Sequence, residues 1–281
     1  MLDTKVQLTQ ATTMQSPKLY LCGFPKSGIH LANRMCFGLY EQFDSSKNWI
    51  GTNAWTVKRA NLELLAKNFI YLKPGQFLKG HIGHLDAIEL MFMTLDIGVV
   101  FIYRDLRDVV VSQMFHVLSN EIGEDGKTER FQHKGKAAYQ AMDSEEEVML
   151  AIINGIDGYP GVVERFETYA PWLDSQWAMS LSYEVMRRNP LMAATKFFDY
   201  SHDLASGKEG FININSEVRK FAIQGIITEM AYKPSSAPTF RKGIVGGWKN
   251  HFTPKVKQAF MDTGGGDWLK KLSYEQDDTW Q

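Results

Sequence analysis

Short, nearly continuous apolar runs alternate with amphipathic stretches along this chain. Four segments are predicted to be strands: Lys18–Gly23, Gln76–Lys79, Asp96–Tyr103 and Trp177–Ser182. The first is typical of a buried strand, and the third is apolar nearly throughout, as a central parallel strand should be. A turn, Phe24–Gly28, follows the first run, and the next stretch places Leu31, Met35 and Leu39 on one helical face. This succession of strand, turn and helix predicts an α/β fold with a central parallel β-sheet flanked by helices.

The remaining pattern is mostly helical, with two long polar loops. Asp105 is positioned to cap a helix whose apolar body is Val109–Val117. Further helices are predicted over Glu145–Ile156, Glu184–Arg188, Leu191–Tyr200 and Ser216–Gly225. The segments Asn120–Lys136 and Tyr232–Gly247 are long for connecting loops, and loops of that length are often functional.

Composition narrows the class of protein. The chain has 281 residues and a formal net charge of −1, so no global field recruits nucleic acid or an anionic membrane. No apolar run approaches the ~20 residues of a membrane span, and no signal peptide is evident. Cys22 and Cys36 lack metal-ligand spacing and are predicted to be reduced, buried thiols, and we expect no metal. We predict a cytoplasmic protein with a single domain over residues 17–281, preceded by a flexible lead-in over residues 1–16.

Three local blocks carry candidate anion-binding chemistry. In the first, Lys26 lies where a helix is predicted to begin, and helix N-termini present unpaired N–H groups and a positive dipole end. The spacing differs from the nucleotide-triphosphatase loop, because the lysine precedes the second glycine, Gly28. Taken alone, this block is also compatible with an ordinary surface turn.

The other two blocks add arginines to this pattern. Arg104 ends the third apolar run, and Ser112 lies about two helical turns further on, so both can hold one phosphate. The third block combines two cations with a glycine, Arg241-Lys242-Gly243. Taken alone, the second block is more typical of an Arg104 that pairs with a nearby acid and a Ser112 that faces solvent, and the third is more typical of solvated loop charges.

Together the blocks Phe24–Gly28, Tyr103–Ser112 and Phe240–Thr253 resemble the sulfotransferases of the cytosolic type, including small bacterial members. These enzymes use 3′-phosphoadenosine-5′-phosphosulfate (PAPS) as the donor. The resemblance extends from about Lys18 to about Asp262. It implies a P-loop-like phosphosulfate-binding loop after the first strand.

The resemblance also implies which residues bind the donor. Lys26 corresponds to the lysine that contacts the 5′-phosphate and the oxygen bridging to sulfur. Arg104 and Ser112 correspond to the pair that binds the 3′-phosphate, and Tyr183 to a tyrosine near the adenine. The other residues implied in donor binding are Pro25, Ser27, Gly28, Ile29 and His30 in the first loop, and Arg241, Lys242 and Gly243 in the loop that closes over the 3′-phosphate.

Catalysis is assigned by the same resemblance. His81, in Lys79-Gly80-His81, corresponds to the catalytic base, and Lys79 to a supporting cation. A histidine suits this task because its ordinary pKa lies near neutrality. The implied reaction is in-line transfer of a sulfuryl group to a hydroxyl, or an amine, of a small-molecule acceptor. The released nucleotide is 3′-phosphoadenosine-5′-phosphate (PAP).

Several positions depart from the family pattern. Ile29, His30 and Leu31 stand where the family has two hydroxyl residues and a tryptophan, and an imidazole N–H of His30 can replace one hydroxyl donor. Pro254 and Gln258 stand where the usual dimer motif has Val and Glu. We therefore expect a monomer, or a homodimer that does not depend on that motif.

Two other functions stay open at this point. A nucleotide kinase would need a loop for the β- and γ-phosphates and an acid for magnesium, and neither is evident. A non-catalytic nucleotide-binding protein would explain the missing hydroxyl pair. The acceptor pocket is predicted to involve variable segments, namely Trp49–Trp55, His84–Met93 and Asn120–Tyr139.

Overall fold

The computed structural model describes residues 17–39, 66–67, 69–119, 136–156, 158–206, 215–231 and 243–280. The predicted lead-in, the segment Trp49–Trp55, most of the loop Asn120–Lys136, and the residues Arg241 and Lys242 lie outside these ranges. The chain forms two compact units. The first comprises Met1–Tyr103 and Thr168–Lys233, and the second comprises Arg104–Glu167 and Pro234–Gln281. The single domain over residues 17–281 stays a prediction.

The described residues contain strands and helices in alternation. The strands are β1 (Lys18–Gly23), β2 (Phe77–Gly80), β3 (Ile97–Tyr103), β4 (Gly155–Ile156), β5 (Tyr159–Pro160) and β6 (Ala178–Ser182). The helices are α1 (Ile29–Leu39), α2 (Asp86–Thr94), α3 (Leu106–Leu118), α4 (Lys136–Gln140), α5 (Glu145–Asn154), α6 (Val162–Glu167), α7 (Tyr183–Arg188), α8 (Pro190–Ala205), α9 (Ser216–Ala231), α10 (Pro254–Asp262) and α11 (Gly265–Lys271). Two short 3₁₀ helices span Ala170–Leu173 and Gly247–Asn250.

The first unit is built on a four-stranded parallel sheet in the order β2-β1-β3-β6. Its central strand β3 is apolar nearly throughout and almost fully buried, as expected for a strand covered on both faces. In the register of β1, Cys22 pairs with Gly80 of β2 and Gly23 pairs with Ile102 of β3. The predicted α/β fold with a central parallel sheet is therefore confirmed.

Helices α1 and α9 of the first unit approach each other closely. A Cβ added at Gly38 of α1 would lie 2.4 Å from the Cα of Ile226 in α9. Helix α8 is tied to the sheet by Tyr200, whose hydroxyl accepts from the Val99 N–H (2.8 Å) and donates to the Trp177 carbonyl (2.6 Å). These contacts hold the helices against the strands that position the first loop.

The second unit is mostly helical. Asp105 caps α3 by accepting from the Arg107 N–H (3.0 Å), as predicted, and Ser144 caps α5 in the same way. Strands β4 and β5 form a small antiparallel pair. Inside this unit the guanidinium of Arg165 donates to Gln113 (2.7 Å) and to the Tyr159 hydroxyl (3.0 Å).

Several boundaries differ from the sequence-based expectations. Helix α5 ends at Asn154 rather than Ile156, because Gly155 has a φ of 88° that terminates the helix. Helix α9 extends beyond Gly225 to Ala231. The segment His84–Met93, expected to be a loop, contains most of α2, which buries Ile88 and Phe92 at helical spacing. Among the described helices, none has the length and hydrophobicity to cross a membrane.

Candidate active site

The loop after β1 has an unusual backbone and a buried, unpaired hydroxyl. Lys26 has a φ of 70° and Gly28 a φ of 91°, both in the left-handed region, which a lysine seldom adopts. The Ser27 N–H donates to the Phe24 carbonyl (3.0 Å), which closes the turn. Ser27 is fully buried, and its Oγ has no hydrogen-bond partner among the residues that the structure describes. A buried hydroxyl of this kind at the start of a helix is suited to an external ligand.

Position 28 requires a glycine both because of its backbone conformation and because the Tyr183 ring packs against it. A Cβ at this position would lie 2.4 Å from the Tyr183 ring, far inside van der Waals contact. Tyr183 is buried at the start of α7, where Ser182 caps the helix by accepting from the Val185 N–H (3.2 Å). The sequence suggested a glycine for close approach to a ligand, and the structure adds the tyrosine ring that packs against it.

Lys79 of β2 is a buried lysine. Its ammonium donates to the Asn33 side-chain oxygen (3.2 Å) on α1, and burial lowers its pKa from the usual value. Among the residues that the structure describes, Lys79 forms no ion pair. The buried thiol of Cys36 is near enough for the positive charge of Lys79 to act on its pKa. Lys79 is therefore a cation without local neutralisation.

His81 directly follows β2 and is held by the backbone of the last residue of β1. Its Nδ1 donates to the carbonyl of Gly23 at 2.5 Å. A neutral imidazole that donates from Nδ1 has its lone pair on Nε2, so this bond selects the tautomer that accepts a proton there.

The pKa of His81 differs from the expected near-neutral value. Burial lowers it to about 4, the Gly23 carbonyl opposes that shift, and Lys26 lowers it further. The sequence-based expectation of an ordinary histidine pKa was therefore wrong, because it ignored desolvation. The consequence is an imidazole that is neutral, and able to accept a proton, throughout the neutral pH range.

His30 completes a cluster of four basic groups in the first unit. Part of its side chain is exposed, yet desolvation by the surrounding protein lowers its pKa to about 4, with further lowering by Lys79, Lys26 and His81. These three residues come from the first loop, from β2 and from the segment after β2. At neutral pH the two imidazoles are uncharged, so Lys26 and Lys79 provide the positive charge that makes this cluster suitable for an anion.

The second unit contains Arg104 and Ser112. The Arg104 guanidinium donates to the Ile244 carbonyl (2.8 Å) and to the Asp108 carboxylate (3.3 Å). Ser112 lies on α3 and is partly exposed. Gly243, next to Ile244, has a φ of 61°, which fits a glycine in the predicted closing loop. The Arg104 block and the end of that loop are therefore in contact.

Asp108 and Arg107 are structural residues that the sequence did not single out. The buried Asp108 carboxylate accepts from the N–H groups of Gly246 (2.8 Å) and Trp248 (2.9 Å). The Arg107 guanidinium lies 3.8 Å from the Trp248 ring centroid and 4.5 Å from that of Trp280, and it pairs with Asp105 at 2.7 Å. In the sequence, only Asp105 and Asp108 within Tyr103–Ser112 indicated that carboxylates would bind these arginines and the nearby backbone.

The predicted site residues fall into three groups. The first unit contains Pro25, Lys26, Ser27, Gly28, Ile29, His30, Lys79, His81 and Tyr183. The second unit contains Arg104, Ser112 and Gly243. Arg241 and Lys242 lie outside the described residues.

A parallel α/β sheet with a lysine-bearing loop at a helix N-terminus defines an enzyme class that handles phosphate-containing nucleotides. Within that class, residues 16–273 match the sequence family described as the sulfotransferase domain. This chain belongs to the PAPS-dependent sulfotransferase family. It is an enzyme that transfers a sulfuryl group from PAPS.

Known relatives are similar over most of their length. The chain is 23% identical over 274 residues to flavonol 3-sulfotransferase of Flaveria bidentis, a match that covers 89% of this chain and 81% of the relative. It is similar in fold to mouse sulfotransferase SULT7A1 complexed with PAP (TM-score 0.51, 17% identity, 96% of this chain and 90% of that chain). It is also similar to retinol dehydratase in complex with androsterone and the inactive cofactor PAP (TM-score 0.51, 13% identity, 98% and 87%). At these identities the solved structures show the fold.

Proposed function

We propose that this enzyme transfers the sulfuryl group of PAPS to a hydroxyl, or an amine, of a small molecule and releases PAP, with His81 as the general base. The observation that carries the proposal is the bond from His81 Nδ1 to the Gly23 carbonyl, because it leaves Nε2 as the proton acceptor. The pKa of about 4 keeps the imidazole uncharged at neutral pH, and it also makes the imidazole a weaker base than an ordinary histidine.

The first loop fits the phosphosulfate end of the donor. The buried Ser27 Oγ is available to donate to a phosphate oxygen, and Lys26 and Lys79 provide positive charge. His30, at the start of α1, is proposed as a further donor in place of a hydroxyl residue. Pro25, Gly28 and Ile29 complete the loop by backbone contact, and Tyr183 is proposed for the adenine.

The second unit is proposed to bind the 3′-phosphate. Arg104 provides the guanidinium and Ser112 the hydroxyl, as in the family pattern. The loop residues Arg241, Lys242 and Gly243 are proposed to close over the same phosphate. The contact of Arg104 with the Ile244 carbonyl supports this assignment, because it joins the second and third sequence blocks.

The reaction then follows from the charges around His81. Nε2 of His81 removes the proton of the acceptor hydroxyl as the new O–S bond forms. Negative charge develops on the bridging oxygen of the leaving nucleotide, and Lys26 and Lys79 stabilise it. Fixed charges of this kind are often the largest contribution to catalysis. Asn33 orients the Lys79 ammonium through its hydrogen bond of 3.2 Å.

A small-molecule acceptor is supported by the relatives. The curated relative acts on a flavonol, and one of the similar structures contains androsterone. The Glu89 carboxylate already binds His84 (2.7 Å) and Ser175 (2.5 Å), so it is not available to an acceptor amine.

The test is donor-dependent release of PAP, together with thermal stability in the presence of nucleotides. A ligand that binds only the folded protein at ~100 times its Kd stabilises it by about 2.7 kcal/mol. We expect PAP to raise the melting temperature and ATP with magnesium to raise it much less. Equal stabilisation by ATP would favour a kinase. Binding of PAP without any sulfuryl transfer across a panel of acceptors would favour a non-catalytic nucleotide-binding protein.

A further inference from the structure

The segment that carries His81 is held by side chains. Strand β2 ends at Gly80, and residues 81–85 connect it to α2 in an irregular conformation. The carbonyl of Ile82, the residue after His81, accepts two hydrogen bonds. One comes from the indole Nε1 of Trp172 (3.1 Å) and the other from the thiol of Cys22 (3.0 Å). The peptide unit next to the proposed base is therefore fixed from two sides.

Trp172 is fixed in turn by His84. The indole is fully buried, and the His84 ring packs edge-on against it with centroids 4.6 Å apart. His84 Nε2 lies 2.7 Å from Glu89 Oε2, and the other oxygen of Glu89 accepts from the Ser175 hydroxyl (2.5 Å). Contacts thus run without a break from Glu89 through His84 and Trp172 to the backbone beside His81.

This cluster is not a second catalytic centre. Ser175 and His84 both bind the Glu89 carboxylate rather than each other. The Ser175 oxygen also accepts from the N–H groups of Trp177 and Ala178 (3.1 Å each). A nucleophilic serine needs a hydrogen bond to its base, which this geometry does not provide. The contacts of the cluster instead fix the backbone beside His81.

The rate of a proton-transfer reaction depends strongly on the position of the base. A displacement of the base by about 1 Å can cost on the order of 10²-fold in rate. We propose that Trp172 and His84 are positioning residues that hold His81 in line with the acceptor, Trp172 by binding the Ile82 carbonyl and His84 by fixing Trp172. The inference rests on the proposed function of His81 as the base.

The test uses substitutions that remove single contacts. Trp172→Phe deletes the indole N–H and keeps an aromatic ring, and we expect kcat to fall by roughly 10–100-fold. His84→Ala should lower kcat to a similar or smaller extent, and His84→Gln, which retains a donor toward Glu89, should restore part of it. The Kd of PAP, measured by calorimetry, should stay unchanged in all three variants.

Trp177→Phe is the matched control. This substitution also removes an indole N–H that donates to a backbone carbonyl, in this case the carbonyl of Ile97 (2.7 Å). Ile97 is far from His81 in the sequence, whereas Ile82, the acceptor of the Trp172 bond, directly follows it. Equal loss of kcat in Trp177→Phe and Trp172→Phe would overturn the proposal, because the effect would then reflect general packing. A raised acceptor KM with unchanged kcat in His84→Ala would also overturn it and would place His84 in the acceptor pocket. Wild-type kcat in His81→Ala would instead reject the proposed base itself.

Discussion

Basic residues near the predicted donor site have different kinds of partner in the two units. In the first unit, Lys79 and His81 bind neutral partners, the Asn33 amide and the Gly23 carbonyl, and the pKa of each is lowered, first by burial. In the second unit, Arg104 and Arg107 lie against the carboxylates of Asp108 and Asp105. The first arrangement leaves the charge of Lys79 for an incoming anion, whereas in the second the carboxylates share the charge of the arginines and Arg104 also contacts the loop residue Ile244. Basic residues in a sequence motif therefore serve both ligand binding and scaffolding.

The largest effect is expected from the first unit. His81→Ala should lower kcat by about 10²–10⁴-fold, the usual contribution of a positioned proton acceptor. The Kd of PAP should change little, since the base acts on the acceptor. His202→Ala, on α8, is the control and should keep wild-type kcat. Near wild-type turnover of an aliphatic alcohol by His81→Ala would contradict the assignment.

In the second unit, substitution of Asp108 should lower the stability of the protein. Asp108→Ala removes a buried carboxylate that binds Arg104 and two backbone N–H groups. Loss of one partner from a buried ion pair costs about 3–5 kcal/mol, so the free energy of unfolding should fall by that amount in urea titrations. A decrease below about 1 kcal/mol, the value of an exposed ion pair, would show that the Asp108 carboxylate does not stabilise this unit.

The pH dependence of the reaction tests the lowered pKa of His81 in the first unit. A histidine base is active when neutral, so kcat/KM falls as pH drops below its pKa in the free enzyme. Because burial and Lys26 lower the pKa of His81 to about 4, the acid limb should have its midpoint well below the ordinary value of 6.5. Below that midpoint the rate should fall about tenfold per pH unit. A midpoint at 6.5 would mean that His81 is solvated in the working enzyme.

The smallest effect is expected for the stability of a Lys79 variant. Lys79→Met replaces a buried cation that has no carboxylate partner among the described residues. We expect the free energy of unfolding to stay the same or to rise by about 0.5–2 kcal/mol, while kcat falls. Urea titration and steady-state kinetics of the same preparation separate the two effects. A strong loss of stability would show that Lys79 is a scaffold residue like Arg107.

Much of the fold and part of the site followed from local sequence. Short segments between turns predicted all four strands of the sheet to within one residue, and the signal was clearest for β3, because a strand buried on both faces is apolar nearly throughout. The lysine loop and the Asp105 cap were likewise readable, since each depends on residues within a single turn. Helix α2 was missed, because Ile88 and Phe92 give only a short apolar stripe.

The sequence by itself determined the parallel sheet, the three motif blocks and the membership of the sulfotransferase family that they indicate. Tertiary structure decided which basic groups are neutralised and how His81 is tuned. The bond from His81 to Gly23 and the bonds from Gly246 and Trp248 to Asp108 join residues far apart in the chain. The pKa of His81 depends on how much water the folded chain excludes around its ring. No local pattern encodes such distant contacts and such desolvation, because both arise only when separate segments pack together.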